Sequence, residues 1–188
     1  FNNTTTDVFA DLTREFSNGG YGRFALRASD RATDYYYAFT GSALGSDGST
    51  SLNTTQRDFE QQTLSMDASY SQPFSTFDTV SEFVVGTDYK HYDTDYLNGA
   101  TRNYVSSINV NTFNSSSVAY TAPTYSTRVQ SEESELGTYG KLTFRPVESL
   151  ALIAGGRFSW YDLESSETTL SSGAVSQSEY SDDGRFTA

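Results

Sequence analysis

The chain has 188 residues and a formal net charge of -12, from 24 acidic and 12 basic side chains. This charge argues against nucleic acid and anionic lipid headgroups as partners, because both need clustered Lys and Arg. Hydrophobic residues make up only 36%, fewer than a soluble β-sandwich normally uses, while aromatic residues reach 15%. Cysteine is absent, which excludes disulfides, thiolate metal sites and cysteine nucleophiles.

Alternation of apolar and polar residues predicts about six β-strands, because side chains of a strand point to opposite faces in turn. The predicted strands are 6–16, 21–29 with a continuation through 35–39, 54–70, 77–92, 138–145 and 150–160. In the long polar strand 54–70 only the end, from Leu64 to Tyr70, has an apolar face. The final residues, 185–188, are predicted to open a seventh strand. No stretch approaches the ~18 apolar residues of a transmembrane helix.

The connections between these runs fall into two classes. Short turns are predicted at 17–20, 71–76 and 146–149, and long polar loops at 41–53, 93–134 and 165–183. Loop 93–134 has little period and is predicted to be functional or disordered. Turns and loops alternate along the chain, so all turns lie at one end of the sheet. This asymmetry is typical of outer-membrane barrels, with short periplasmic turns and long extracellular loops.

The run 150–160 is long enough to cross a bilayer, since a tilted transmembrane strand needs ~9–11 residues. Its even positions, such as Leu152, are predicted to face lipid, and its odd positions, such as Arg157, to face a watery lumen. A long strand of a soluble sandwich is the alternative for this hairpin alone. Across the chain, however, the faces opposite the apolar ones carry more charge than a sandwich core holds. The predicted fold is therefore all-β: a segment of an antiparallel transmembrane β-barrel.

Aromatic residues are predicted to form two girdles at the membrane interfaces. Those near the short turns are Phe16, Tyr21, Tyr70, Phe74 and Phe77; those at the other interface are Tyr35 to Tyr37, Tyr89, Tyr92, Trp160 and Tyr161. The chain starts at Phe1 without a signal peptide and stops within an apparent strand, so it is expected to be a piece of a longer protein.

Three sequence motifs carry a family resemblance. Residues 137–139 and 150–158 follow the pattern Gly-x-Tyr, a short turn, then Leu-x-Leu-x-x-Gly-x-Arg-aromatic. Residues 84–89 follow a Val-Gly-x-Asp-Tyr strand, and 108–114 more weakly follow an Asn-Phe-Asn loop. Through these motifs the chain resembles TonB-dependent outer-membrane receptors, especially the ferric-siderophore receptors.

The resemblance implies a 22-stranded barrel with an N-terminal plug domain, energised through TonB. Residues 1–188 would be part of that barrel domain, with the plug and the remaining strands absent. The expected location is the bacterial outer membrane, crossed many times and in contact with its lipid, and the expected full-length form is a monomer. Its partner would be a ferric siderophore.

No active site is predicted, so the chain is not expected to be an enzyme. His91 is the only histidine and is expected at the barrel rim, without metal. The acidic pairs Asp93/Asp95 and Asp182/Asp183 lack the spacing of a calcium loop and are expected to be solvated. No cofactor is expected on protein ligands, and iron would arrive only inside its chelate.

Tyrosines and arginines towards the long loops are the candidate ligand-binding residues, because stacking and charge-assisted hydrogen bonds suit planar, partly anionic ligands. They are Tyr35, Tyr37, Tyr92, Tyr96, Arg102, Tyr104, Tyr120, Tyr125, Arg128 and Tyr161. The alternative is that they only pack loops and girdles. Two functional alternatives also stay open: another substrate for the same machinery (cobalamin, haem or an oligosaccharide), or a small structural barrel or adhesin.

Overall fold

The computed structural model describes residues 2–118 and 120–187, apart from the side chains of Arg102, Asn103, Ser117 and Asp183. In these residues one antiparallel sheet contains seven strands in chain order, with β1 and β7 at its edges. The strands are β1 Asn2–Glu15, β2 Tyr21–Thr40, β3 Ser49–Thr76, β4 Thr79–Asn109, β5 Thr127–Val147, β6 Leu150–Thr169 and β7 Ala174–Thr187. A 3₁₀ turn, Ser115–Ser117, lies between β4 and β5. No helix in the described parts is long and apolar enough to cross a membrane.

Three tight turns connect the strands at one end, called here the turn end. In the second turn Phe77 and Asp78 have φ of 53° and 63°, the positive values of a two-residue hairpin turn. The sequence prediction placed this turn at 71–76 and was wrong. Pro73 lies inside β3 instead, past Ser71, the last β3 residue that pairs with β2. Only β4 is its neighbour there, so its missing N–H interrupts no ladder on the β2 side.

The opposite end, called here the loop end, has shorter loops than predicted: 41–48, 110–126 and 170–173. Strand β4 continues through the first part of the predicted loop 93–134, and β5 begins within it. Strands β6 and β7 likewise occupy most of 165–183, so 185–187 ends the seventh strand rather than opening it. In these segments both faces are polar, so hydrophobic alternation disappears although the backbone ladder persists.

The paired register gives the sheet two different faces. The apolar face contains a cross-strand row formed by Ala10, Leu26, Met66, Tyr89, Leu136 and Trp160. One residue further along each strand, the polar face contains Asp11, Ala25, Asp67, Asp88, Gly137 and Ser159. The alternation predicted for 150–160 is therefore confirmed: even positions share the apolar face, and Arg157 lies on the polar face.

The apolar face is uncovered within this chain. Leu12 and Leu152 are 65% and 53% exposed, and Leu52 is the one buried hydrophobic side chain in the part of the chain that the structure describes. A soluble sheet covers such a face with a second layer. This sheet instead needs an apolar phase outside the protein, as the lipid-facing side of a barrel does.

Aromatic side chains border the apolar face at the turn end. Phe16 meets Tyr70 edge-on, and Phe83 contacts both Tyr70 and Phe74. At the other border Trp160 packs edge-on against Phe158, with ring centroids 4.6 Å apart. The predicted girdles need correction, because six of their tyrosines lie elsewhere. Tyr21, Tyr92 and Tyr161 lie on the polar face by strand parity, and Tyr35 to Tyr37 lie far towards the loop end.

The middle strands are much longer than a bilayer requires. Strand β3 has 28 residues and β4 has 31. At ~3.3 Å per residue, β4 is about 100 Å long, roughly three times the ~30 Å hydrocarbon core of a bilayer. The sheet therefore continues well past its apolar face towards the loop end.

Candidate functional site

Charged side chains on the polar face pair across the first three strands. Arg23 on β2 donates to Asp11 on β1, with Nη2 2.6 Å from Oδ2, and its Nη1 is 3.9 Å from Asp67 on β3. The phenol of Tyr139 on β5 donates to Asp67 over 3.1 Å. Each carboxylate thus has a donor or a cation beside it, as expected of a face that is partly shielded from water.

Arg157 continues this network on the other side. Its guanidinium pairs with Asp88 on β4, donates to Glu135 Oε1 at 2.7 Å, and donates from Nε to Ser159 Oγ at 2.8 Å. Asp88 lies directly opposite Asp67 in the β3–β4 register. Like charges in that position repel, so the two flanking arginines compensate an acidic pair in the middle of the sheet.

Two glycines allow side chains to cross a neighbouring strand. Arg157 reaches β4 from β6 by lying over Gly137 of β5, and Tyr139 reaches β3 from β5 by lying over Gly86 of β4. A Cβ at either glycine would overlap the crossing side chain. Gly86 and Gly137, each part of a sequence motif, therefore serve close approach rather than backbone flexibility.

Towards the loop end, the polar face holds an aromatic–arginine cluster, defined as Tyr35, Tyr37, Phe39, Arg57, Phe59 and Tyr96. Three rings follow one another along β2, with centroid distances of 5.7 Å from Tyr35 to Tyr37 and 5.8 Å from Tyr37 to Phe39. On the next strands Phe59 and Tyr96 are 6.3 Å apart. Aromatic faces at these spacings offer a stacking surface to a flat ligand.

Arg57 lies between the two halves of the cluster. Its guanidinium carbon is 4.8 Å from the Tyr96 ring centroid and 5.9 Å from that of Tyr35, which are cation–π distances. Within residues 2–118 and 120–187 it forms no ion pair, and its buried Nε has no hydrogen-bond partner. A cation held by rings rather than by a carboxylate keeps its charge available to an anionic ligand.

The structure brings only part of the predicted binding set together. Tyr35, Tyr37 and Tyr96 belong to the cluster. Tyr92 and Tyr161 lie on the same face as the cluster but further from the loop end. In the strand register Tyr92 is opposite Glu133, and Tyr161 is opposite Glu135.

The other predicted residues lie elsewhere. Tyr104 stacks on Tyr120 with centroids 6.4 Å apart. Both phenols add to burial in raising the pKa of Tyr36, whose position in β2 belongs to the opposite face. The side chain of Arg102 lies outside the described residues.

Tyr125, in the connection before β5, also lies against the opposite face. Tyr125 accepts a 2.8 Å hydrogen bond from Gln56, and burial raises the pKa of its phenol. Arg128 is paired with Asp95, and its hydrogen bonds hold the pKa of that carboxyl below its ordinary value. Both residues are therefore separated from the aromatic–arginine cluster by the sheet itself.

Sequence reasoning missed three members of the cluster: Phe39, Arg57 and Phe59. Strand parity together with the strand register would have identified them, because Tyr35 is directly opposite Arg57 and Phe59 is opposite Tyr96. Parity could be read from the sequence, but the β2–β3 register across a polar loop could not.

Metal-ligating side chains are not grouped in the part of the chain that the structure describes. No group of three or more His, Asp or Glu side chains there could hold a metal ion. His91 stacks on Tyr89 with ring planes 4° apart, and its Nδ1 is 3.5 Å from Ser134 Oγ. This is consistent with a structural histidine at the border of the apolar face.

Comparisons with known proteins agree on the fold. No protein-family model and no curated protein sequence matches the chain. Among solved structures, the ferripyoverdine receptor of the outer membrane of Pseudomonas aeruginosa, bound to ferripyoverdine, matches with TM-score 0.76 and 23% identity, over 97% of this chain and 23% of the receptor. BauA, the ferric preacinetobactin receptor of Acinetobacter baumannii, matches with TM-score 0.57 and 15% identity, over 95% and 27%. The ferric citrate transporter FecA matches with TM-score 0.56 and 12% identity, over 96% and 23%.

The chain thus spans about a quarter of the length of these structures. Its seven strands match only part of these structures, and β1 and β7 are open edges of the sheet. The fold is that of a segment of an outer-membrane receptor β-barrel.

Proposed function

We propose that this chain is part of the barrel domain of a TonB-dependent receptor that takes up ferric siderophores across the bacterial outer membrane. The proposal rests on one observation above the others: an aromatic–arginine cluster on the polar face of a wall segment that matches three ferric-chelate receptors in fold. Those receptors handle different chelates, so the likeness supports the class of cargo rather than one molecule.

In this proposal the apolar face contacts outer-membrane lipid and the polar face borders the lumen. Missing strands close the barrel, an N-terminal plug fills it, and TonB supplies the energy. The full-length protein is a monomeric transporter and not an enzyme. Iron stays inside its chelate, so the wall needs to recognise the organic ligand and supplies no ligands to the metal.

Uptake of radioactive iron tests this function. A strain that lacks the full-length gene is compared with its complemented parent under iron limitation, using ferric catecholate and ferric hydroxamate chelates as cargo. The expected result is uptake of at least one chelate that requires both the gene and the proton-motive force. Equal uptake in both strains would contradict the proposal. Gene-dependent uptake of cobalamin or haem would move the assignment to another substrate, and intact uptake with lost adhesion would favour a structural barrel.

A further inference from the structure

The two faces of the loop-end half of β2, β3 and β4 carry opposite charge. Beyond the row that contains Ser29, Thr63 and Tyr92, strand parity places every acidic residue of these strands on the face opposite the cluster. These acidic residues are Asp30, Asp34, Asp58, Glu60, Asp93 and Asp95. On the cluster's face the charged residues of these segments, among described side chains, are Arg31 and Arg57. In a chain of net charge -12 this is a local reversal of sign.

Neither arginine is neutralised by a carboxylate in the described residues. By contrast, Arg23 and Arg157 nearer the turn end each pair with acids, and Arg128 on the opposite face pairs with Asp95. Arg23 and Arg157 are therefore held by carboxylates of the wall. Arg31 and Arg57, nearer the loops, have no carboxylate partner among the described side chains, and their positive potential attracts anions and repels cations.

The aromatic rings around Arg57 determine the shape of ligand that can bind beside its charge. Tyr37 and Phe39 are 51% and 43% exposed although they lie on an ordered strand, so their faces are open for stacking. Arg57 is flanked by Tyr35 and Tyr96, which leave the edge of the guanidinium as its hydrogen-bonding side. An anionic oxygen attached to a flat ring satisfies both features together.

We infer that the aromatic–arginine cluster selects ferric chelates that are anionic and present an aromatic ring, with Arg57 as the anion contact. This inference rests on the proposed function and narrows its substrate class. Ferric chelates differ widely in charge: a tris-catecholate complex is triply negative and aromatic, whereas a trihydroxamate complex is neutral and aliphatic. The cluster favours the first and gains little from the second.

Equilibrium binding to the full-length receptor in detergent tests this selection, with a ferric tris-catecholate and a neutral ferric trihydroxamate as probes. The wild type is expected to bind the catecholate more tightly, and the preference is expected to shrink as salt rises. Arg57→Gln should weaken catecholate binding by about 10- to 100-fold, the loss of one charge-assisted hydrogen bond, and leave trihydroxamate binding within about twofold. Arg57→Lys should fall between, because it keeps the charge but loses the planar fork.

Arg128→Gln is the matched control, since it removes the same charge from the opposite face and should leave both affinities unchanged. Equal or tighter binding of the neutral chelate by the wild type, or an equal loss for both chelates in Arg57→Gln, would overturn the selection while iron uptake still supported the receptor. If neither chelate binds and iron uptake is independent of the gene, the proposed function fails and this inference fails with it.

Discussion

The ion pair between Arg157 and Asp88 makes a specific prediction about the stability of the wall. Asp88 is the most enclosed member of the network, with 13% of its side chain exposed, and it lies directly opposite Asp67. In Arg157→Met the carboxylate of Asp88 loses its cation and keeps its acidic neighbour. Both effects destabilise the folded sheet, because a poorly hydrated charge is left without a partner.

The expected cost can be bounded from the geometry. Removing one partner of a fully buried pair costs ~3–5 kcal/mol. The side chain of Arg157 is 31% exposed, so water replaces part of the lost interaction, and we expect ~2–3 kcal/mol. Asp88→Asn in the same background removes the orphaned charge. The double variant should therefore be more stable than the sum of the single changes predicts, by ~1–2 kcal/mol.

Denaturant unfolding of the full-length protein in lipid vesicles, followed by tryptophan fluorescence, measures the four states of this cycle. Arg27→Met is the matched control. It breaks an ion pair with Asp7 on the same face, but that pair is more exposed, at 61% and 37%, and its loss should shift the midpoint much less. The reasoning is refuted if the two arginine variants shift the midpoint equally, or if the Arg157 and Asp88 changes are strictly additive.

Three further predictions concern the membrane. Leu152→Arg should cost ~2–4 kcal/mol if it lies near the bilayer midplane and Ile153→Arg clearly less, because only the first puts charge on the apolar face; equal costs in vesicle unfolding would contradict the face assignment. Residues 1–188 expressed alone should not give a stable monomer, because β1 and β7 would each leave unpaired N–H and C=O groups in lipid; heat-modifiable migration of a monomer in detergent would disprove this. Loop 110–126 should be cleaved by external protease on intact cells, and cleavage only after permeabilisation would place the loop end on the periplasmic side.

Hydrophobic periodicity predicted the sheet wherever its two faces meet different surroundings. The strands around Leu26, Met66, Leu142 and Leu152 were found for that reason, and so was the assignment of Arg157 to the polar face. The same signal failed in β4 beyond Tyr92 and in β7, where polar residues occur on both faces while the backbone ladder continues. Hydrophobic alternation therefore cannot show how far a strand continues once both of its faces carry polar residues.

The candidate site was predicted by residue type but not by position. Tyrosines towards the loops were the right kind of side chain, yet Tyr125 and Arg128 proved to lie behind the sheet. Membership of the cluster depends on parity and on the β2–β3 register, which the sequence leaves open across the polar loop 41–48. Arg57 was passed over because a single arginine in a polar strand carries no local signal. Its role depends on Tyr35 and Tyr96, which are distant in sequence.

The extension of the strands beyond the apolar face has a consequence for how such a surface can change. The rings and the arginine of the cluster belong to strands whose backbone is already hydrogen-bonded. Because this backbone needs no further ordering when a ligand binds, little conformational entropy is lost on binding. In the proposed receptor, single substitutions at odd positions of β2 and β3 then alter ligand recognition without altering the backbone. Its ligand preference can change one residue at a time on this face, independently of insertions and deletions in the loops.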